Sequence, residues 1–299
     1  MNLSNIHSAP SLARAVTTYL LPAYKNKNLA TRNAWWLITH YMQASQATLL
    51  VSQKPIPENI YAQLYEAIIR IVHNNEPIQY VIGSIPFGAI TVTVRPPLLI
   101  PRPETEMWVA DLIELHRYKA HLPLKILDLC TGTGCIALAL AKAFPYSSVY
   151  ATDNNPHAIA LSQENAQNNA IINVQWFISD LTQAVMHHGP YDLIVANPPY
   201  IPSSMWEQLD PSVRLWEDPH ALLAGDDGLT IISRIITDAK DILHTHAELW
   251  IEIDETHQEA VLALCAKNRH SHTEIYTDYA GKPRVMRTIM YPKGVIGGQ

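Results

Sequence analysis

The sequence predicts an α/β protein: a small helical region at the N-terminus, then a domain built on a largely parallel sheet. Three observations carry this. Apolar residues recur at helical spacing through the first 75 residues. From Leu124 onward strand and helix patterns alternate. The last two strand-like runs follow each other with no room for a crossover helix, so the sheet should end antiparallel. A chain of 299 residues, 48% hydrophobic and 16% charged, has enough apolar mass for two cores and is not a disordered chain.

Leu12, Val16 and Leu20 mark a first helix, Trp35, Leu37, Ile38 and Tyr41 a second, and Ile60, Leu64, Ala67, Ile68 and Ile71 a third. Pro55 and Pro57 punctuate the gap before the third. Tyr80–Ile85 and Ala89–Val94 read as two strands around a turn at Pro86–Gly88. The prolines around Arg95 and Arg102 form a hinge or covering loop before a helix from Glu104 to about His116. Strands then follow at Lys125–Leu129, Ser148–Thr152, Val174–Ile178, Asp192–Ala196, Glu248–Ile253, Glu274–Tyr279 and Arg284–Met290. Helices are expected at Ile136–Phe144, Pro156–Asn168, Leu229–Leu243 and Glu255–Lys267.

No apolar run reaches the roughly 18 residues of a membrane span. Three cysteines do not make a disulfide framework, which suits a reducing compartment. The net charge of −6 is unevenly spread: residues 1–95 carry +4 and residues 96–299 carry −10. A basic nucleic-acid groove is therefore not expected on the larger part. The basic first part either faces an anionic partner or is a solvated face.

The strand ending at Leu129 runs directly into Asp128-Leu-Cys-Thr-Gly-Thr-Gly-Cys-Ile-Ala. Gly132 and Gly134 allow a sharp turn and close approach of a ligand, and the helix that follows presents its N-terminus. With Ala137 the loop also fits a dinucleotide fingerprint. Asp128 separates the options. A carboxylate at the strand end would repel a pyrophosphate but attract the ammonium or sulfonium of S-adenosylmethionine. The second strand ends in Asp153, placed to take two ribose hydroxyls, or alternatively to cap the helix at Pro156. Asp180, after the third strand, is a candidate for the adenine rim or another turn acid.

The fourth strand ends in Asn197-Pro198-Pro199-Tyr200. In open α/β sheets ligands bind beyond the carboxyl ends of strands, and the prolines hold Asn197 extended. This pattern suits methyl transfer to a planar, weakly nucleophilic nitrogen. The Asn197 side-chain oxygen and the Pro198 carbonyl would each accept one N–H of an NH2 group, and Tyr200 would stack on its plane. Catalysis would rest on positioning and electrostatics. Several other features read as structural. Cys130 and Cys135 lack further ligands at metal spacing, and none of the 14 histidines forms a ligand motif, so no metal is expected. Glu104 and Glu106 are either paired acid/base carboxylates or first-turn helix acids. The tail Gly297-Gly298-Gln299 reads as a chance tripeptide.

The chain resembles the HemK/PrmC family, the glutamine methyltransferases of class I peptide release factors. The resemblance spans Leu99-Ile-Pro-Arg-Pro-Glu-Thr-Glu106, Asp128–Ala137, Asn197-Pro-Pro-Tyr-Ile-Pro202, Ala224-Gly-Asp-Asp-Gly228 and Asp278-Tyr-Ala-Gly-Lys-Pro-Arg-Val285. It implies a seven-stranded, Rossmann-like class I S-adenosylmethionine-dependent methyltransferase domain at 101–299. A helical substrate-recognition domain would occupy 1–76 and a β-hairpin linker 77–100. It implies methylation of the glutamine in the Gly-Gly-Gln motif of a release factor. Asp128, Cys130, Thr131, Gly132, Thr133, Gly134 and Asp153 would then hold S-adenosylmethionine, with Asp180 and Leu181 at its adenine and Asn197 near its methyl group. Asn197, Pro198, Pro199 and Tyr200 would hold the glutamine, with Asn197, Pro198 and Tyr200 acting in catalysis. Arg102 to Thr105 would cover the cofactor. The chain departs from the pattern at Cys130, where many members have Gly, and at Leu181, where many have an aromatic.

An adenine-N6 methyltransferase acting on DNA or RNA shares Asn-Pro-Pro-Tyr and is the alternative, but stable nucleic-acid binding is not expected. The absence of acids in the first 57 residues, with Arg14, Lys25, Lys27 and Arg32, suits mitochondrial import; a bacterial cytoplasm is the other setting.

Overall fold

The computed structural model describes residues 3, 6–52, 54–270 and 272–290; the tail ending Gly297-Gly298-Gln299 lies outside them. The chain forms two compact units. One comprises residues up to Ser84 with Asp210–Trp216; the other comprises Ile85–Leu209 and the residues from Glu217 onward.

The first unit contains α1 (Ala9–Tyr24), α2 (Lys27–Met42), α3 (Gln46–Val51), α4 (Glu58–Asn74) and α5 (Ile78–Ile82). Leu12, Val16 and Leu20 of α1 meet Leu37 and Ile38 of α2 and Leu64 and Ile68 of α4 in one buried core. The Asn26 side chain caps α2 by accepting the Leu29 N–H at 3.0 Å. Three expected helices have become five. The short α3 fills the gap before Pro55. The segment Tyr80–Ile82, expected to open a strand, is helical instead. Pro77 fits ahead of a first turn, and Gly83 at φ +84° closes the turn in the left-handed region.

Beyond this point β1 (Ser84–Phe87) and β2 (Ile90–Thr93) form a two-stranded sheet. In the second unit a chain of α6 (Pro103–Leu115), β3 (Lys125–Leu129), α7 (Cys135–Ala143), β4 (Ser148–Asp153), α8 (Pro156–Asn168), β5 (Val174–Ile178) and β6 (Tyr191–Ala196) follows. The short α9 (Pro211–Arg214) lies in the segment that belongs to the first unit. The second unit closes with α10 (Thr230–Ile242), β7 (Leu243–Glu252), α11 (Gln258–Lys267), β8 (His272–Thr277) and β9 (Pro283–Ile289). The sheet order is β5-β4-β3-β6-β7-β9-β8, with β9 antiparallel to both β7 and β8 and the rest parallel. The central strands read as continuous apolar runs because helices cover both faces. β7 starts five residues earlier than the apolar pattern indicates, since its first half is exposed and polar.

The hairpin is stitched to α8. Asn165 exchanges hydrogen bonds with Thr93 through its side chain, accepting the Thr93 N–H at 2.8 Å and donating to its carbonyl at 3.1 Å. Asn169 does the same with Thr91. Both asparagines thus act as a partner strand for an edge that would otherwise lack one. Glu106 accepts the Gly88 N–H at 2.7 Å, so this acid holds the hairpin turn.

The chain runs β3, β4, β5 to one side, then returns to place β6 on the other side of β3. That reversal opens a crevice at the carboxyl ends of β3 and β6, where a ligand site is expected.

Candidate active site

The crevice is a cavity of about 280 Å³. Its walls come from the ends of four parallel strands: Cys130 and Gly132 after β3, Asp153 to Asn155 after β4, Ser179 to Leu181 after β5, and Asn197 and Pro199 after β6. Leu98, Leu223 and Ile231 add apolar wall, and Asp218 and His220 lie on one side.

The loop after β3 is shaped from within. Gly132 and Gly134 have φ of +55° and +81°. A side chain at Gly132 would meet open space, so backbone can approach a ligand there. A Cβ at Gly134 would come within 2.8 Å of Ser162. Asp128 does not face the cavity. It is wholly buried behind the loop, where Oδ2 accepts from the Thr131 hydroxyl at 2.6 Å and from the Ala137 N–H at 3.1 Å. Its Oδ1 has no hydrogen-bond partner, and burial pushes its carboxyl up to about 7. The expected attraction of Asp128 for a cationic ligand is thus replaced by a role in holding the loop. The Asp128 carboxylate also takes a helix N-terminal N–H that a pyrophosphate would need, which counts against the dinucleotide reading. Thr131, Thr133 and Gly134 likewise build the loop rather than the wall: the Thr131 N–H bonds the Thr152 carbonyl at 2.9 Å, and Thr131 and Thr133 are buried.

Asp153 is on the wall. One carboxylate oxygen accepts the Gly132 N–H and the other the Asn155 N–H, each at 2.9 Å. The cap of α8 is Asn155, not Asp153. Each oxygen of Asp153 keeps a lone pair for a ligand hydroxyl. Burial holds this carboxyl above its ordinary range.

Cys130 sits at φ +58°, the left-handed region that favours glycine. Burial pushes its thiol well up, and the Cys135 thiol to about 12, so neither is a ready nucleophile. Among the described residues no group of three or more His, Cys, Asp or Glu is placed to hold a metal ion. Asp180 pairs with Arg234 at 2.7 Å on the rim. Leu181 is buried, and with Leu223 and Ile231 it offers aliphatic rather than aromatic packing for a flat ring.

Asn197 is half-buried on the wall and Pro198 buried beside it. The Asn197 amide nitrogen donates to Thr105 Oγ1 at 3.1 Å. The Tyr200 hydroxyl turns away from the cavity and donates to Glu252 Oε1 at 3.2 Å. Glu252 also accepts from the Thr105 hydroxyl at 2.7 Å and the Trp108 ring N–H at 2.8 Å. Thr105 is therefore buried behind Asn197, not folded over the cavity. Arg102 pairs with buried Glu217 at 2.6 Å. Sequence reasoning missed Glu252 and Trp108; the signal available was one acid inside the apolar run Leu249-Trp-Ile-Glu-Ile. The segment after Tyr200 is backed by residues 222–224, through the Ile201 N–H to the Leu222 carbonyl at 2.8 Å and the Ala224 N–H to the Ile201 carbonyl at 3.0 Å.

A family model described as Methyltransferase small domain matches residues 112–210, and one described as PrmC N-terminal domain matches residues 15–83. The release factor glutamine methyltransferase of Thermodesulfovibrio yellowstonii is 32% identical over 255 residues, covering 85% of this chain and 91% of that protein. The human MTRF1L release factor glutamine methyltransferase is 34% identical over 224 residues, covering 70% of this chain and 66% of its own. Among solved structures, the T. thermophilus 16S rRNA N2 G1207 methyltransferase in complex with AdoMet and guanosine aligns with a TM-score of 0.52 at 15% identity. It covers 69% of this chain and 49% of that one, a likeness of fold. With its seven-stranded class I methyltransferase sheet and these relatives, the chain belongs to the release factor glutamine methyltransferase family.

Proposed function

We propose that this protein transfers a methyl group from S-adenosylmethionine to the side-chain amide nitrogen of the glutamine in the Gly-Gly-Gln motif of a class I peptide chain release factor. The observation that carries the reading is the placement of Asn197 in the same cavity as Gly132 and Asp153. The cavity suits the cofactor in the chemistry of its walls. Asp153 has acceptor capacity for a ribose diol, Gly132 leaves open space for close approach, and Leu181, Leu223 and Ile231 give an apolar slot beside Asp180 for a flat ring. Bound there, S-adenosylmethionine would supply an electrophilic methyl group.

The chain's own work is positioning. An amide nitrogen is a poor nucleophile because its lone pair is delocalised. Acceptors at both of its N–H groups, from Asn197 and the Pro198 carbonyl, would fix the nitrogen toward the cavity without a strong base. Pro199 and Tyr200 hold the loop that presents them. Substrate recognition is assigned to residues 1–76, and the linker 77–100 holds α5 as well as the hairpin. The acid-free first 57 residues favour a mitochondrial setting over a bacterial cytoplasm; fractionation of cells carrying the tagged chain tests this.

The activity test is incubation with labelled methyl donor and, separately, a release factor, its Gly-Gly-Ala variant, and DNA or RNA. Label should enter only the release factor that keeps its glutamine. Label in nucleic acid alone would establish the adenine-N6 alternative instead.

A further inference from the structure

Glu252 ends β7, and the parallel register pairs Ala196 with Ile251, so Glu252 sits beside Asn197 at the sheet rim. It is 1% exposed. Thr105 and Trp108, three apart on the first turns of α6, share one helix face, and both reach the same carboxylate oxygen. Tyr200 reaches the other. All three contacts are donors facing the carboxylate oxygens; burial pushes this carboxyl up, and the three hydrogen bonds together with Arg284 oppose that by favouring its charged form.

The direction of each hydrogen bond then follows. The Trp108 ring N–H can only donate, so Glu252 Oε2 is an acceptor. The single hydroxyl proton of Thr105 goes to that oxygen. Thr105 Oγ1 has only lone pairs left for Asn197, so the Asn197 group facing it is the NH2. The carbonyl oxygen of Asn197 is left for the cavity side. We infer that Glu252, acting through Thr105, is a positioning element that locks the Asn197 amide in the one orientation presenting an acceptor to the substrate nitrogen. The inference rests on the glutamine-methylation reading for its catalytic consequence, and on hydrogen bonding alone for the orientation.

A flipped amide would set NH2 against the substrate NH2, donor against donor. The locked orientation therefore also selects chemistry: a carboxamide with N–H groups is accepted and a carboxylate, which has none, is rejected. Glu252 ties Tyr200 to the same point, so the first and fourth residues of Asn197–Tyr200 are anchored to one carboxylate.

Two substitutions at Thr105 test this. Thr105→Val keeps the shape and removes both the donor and the acceptor; Thr105→Ser restores them. Thr105→Val should lower kcat for glutamine methylation about 10- to 100-fold, with the Kd for the methyl donor changed by less than about twofold. Thr105→Ser should return kcat to within about threefold of the parent. In the 15N-labelled parent protein, the side-chain NH2 pair that vanishes in Asn197→Ala should exchange slowly with solvent, and fast in Thr105→Val. The inference is overturned if Thr105→Val keeps kcat within about threefold, or if both variants lose donor affinity and melting temperature in parallel with kcat. Fast exchange of that NH2 pair in the parent also overturns it, even should Thr105→Val fail to fold. A parent protein that methylates no glutamine would count against the proposed function, while the exchange experiment would still decide the orientation.

Discussion

Gly132 and Gly134 share a left-handed backbone but differ in surroundings. Gly132→Ala meets no atom, so its cost is conformational, about 1 kcal/mol. Gly134→Ala drives a methyl against Ser162 and the Trp176 ring, adding overpacking to the same strain, about 2–4 kcal/mol in all. Urea unfolding of the two variants should rank them in that order. Asp128 gives a pH signature. Its carboxyl is pushed up to about 7 by burial, while the unfolded chain titrates near the ordinary value of about 4. Between those values the folded protein holds a proton the unfolded one releases, so this residue lowers stability as pH rises through that window. Asp128→Asn should reduce the loss of unfolding free energy between pH 5 and 8 by on the order of 2 kcal/mol; identical pH profiles for parent and variant would refute this. Asp128 and Asp153 were both visible in sequence as acids at strand ends, but not that one faces inward. The distinction depends on which side of the loop each carboxylate reaches, and strand periodicity does not extend past the last paired residue.

At the scale of elements, the apolar runs of β3 and β6 and the glycine loop between β3 and α7 were legible because their burial leaves a local pattern. α5 was not, since five residues of mixed apolar character suit a turn of helix or a strand equally. Pro77 and Gly83 decide between them. Glu252 was hidden for a different reason: its partners Thr105 and Trp108 lie 147 and 144 residues away, and only the packing of α6 at the end of β7 brings them together. The hairpin shows a similar long-range dependence. Asn165 supplies three hydrogen bonds, two to Thr93 and one to the Thr133 carbonyl. Asn165→Ala should destabilise the protein by about 2–3 kcal/mol and speed amide exchange at Thr93 more than at β3. Uniform exchange across both strands would show that the clasp is not local. Gly228 is the corresponding point behind the Asn197–Tyr200 loop. A Cβ there would collide with the Tyr200 carbonyl and approach His257 Cε1 at 2.9 Å.

At the scale of the whole molecule, the strand order places the loop after β3 and the end of β6 side by side at the point where that order reverses. The proposed chemistry rests on that adjacency: Gly132, Asp153 and Asn197 line one cavity, and the Glu252 carboxylate lies behind Asn197. The most direct measurement is methyl transfer to a release factor by Asn197→Ala beside the parent protein, with methyl-donor affinity and melting temperature recorded for both. Turnover should fall at least about 100-fold while donor binding and melting temperature stay near the parent values. An Asn197→Ala protein that methylates at the parent rate would contradict the account.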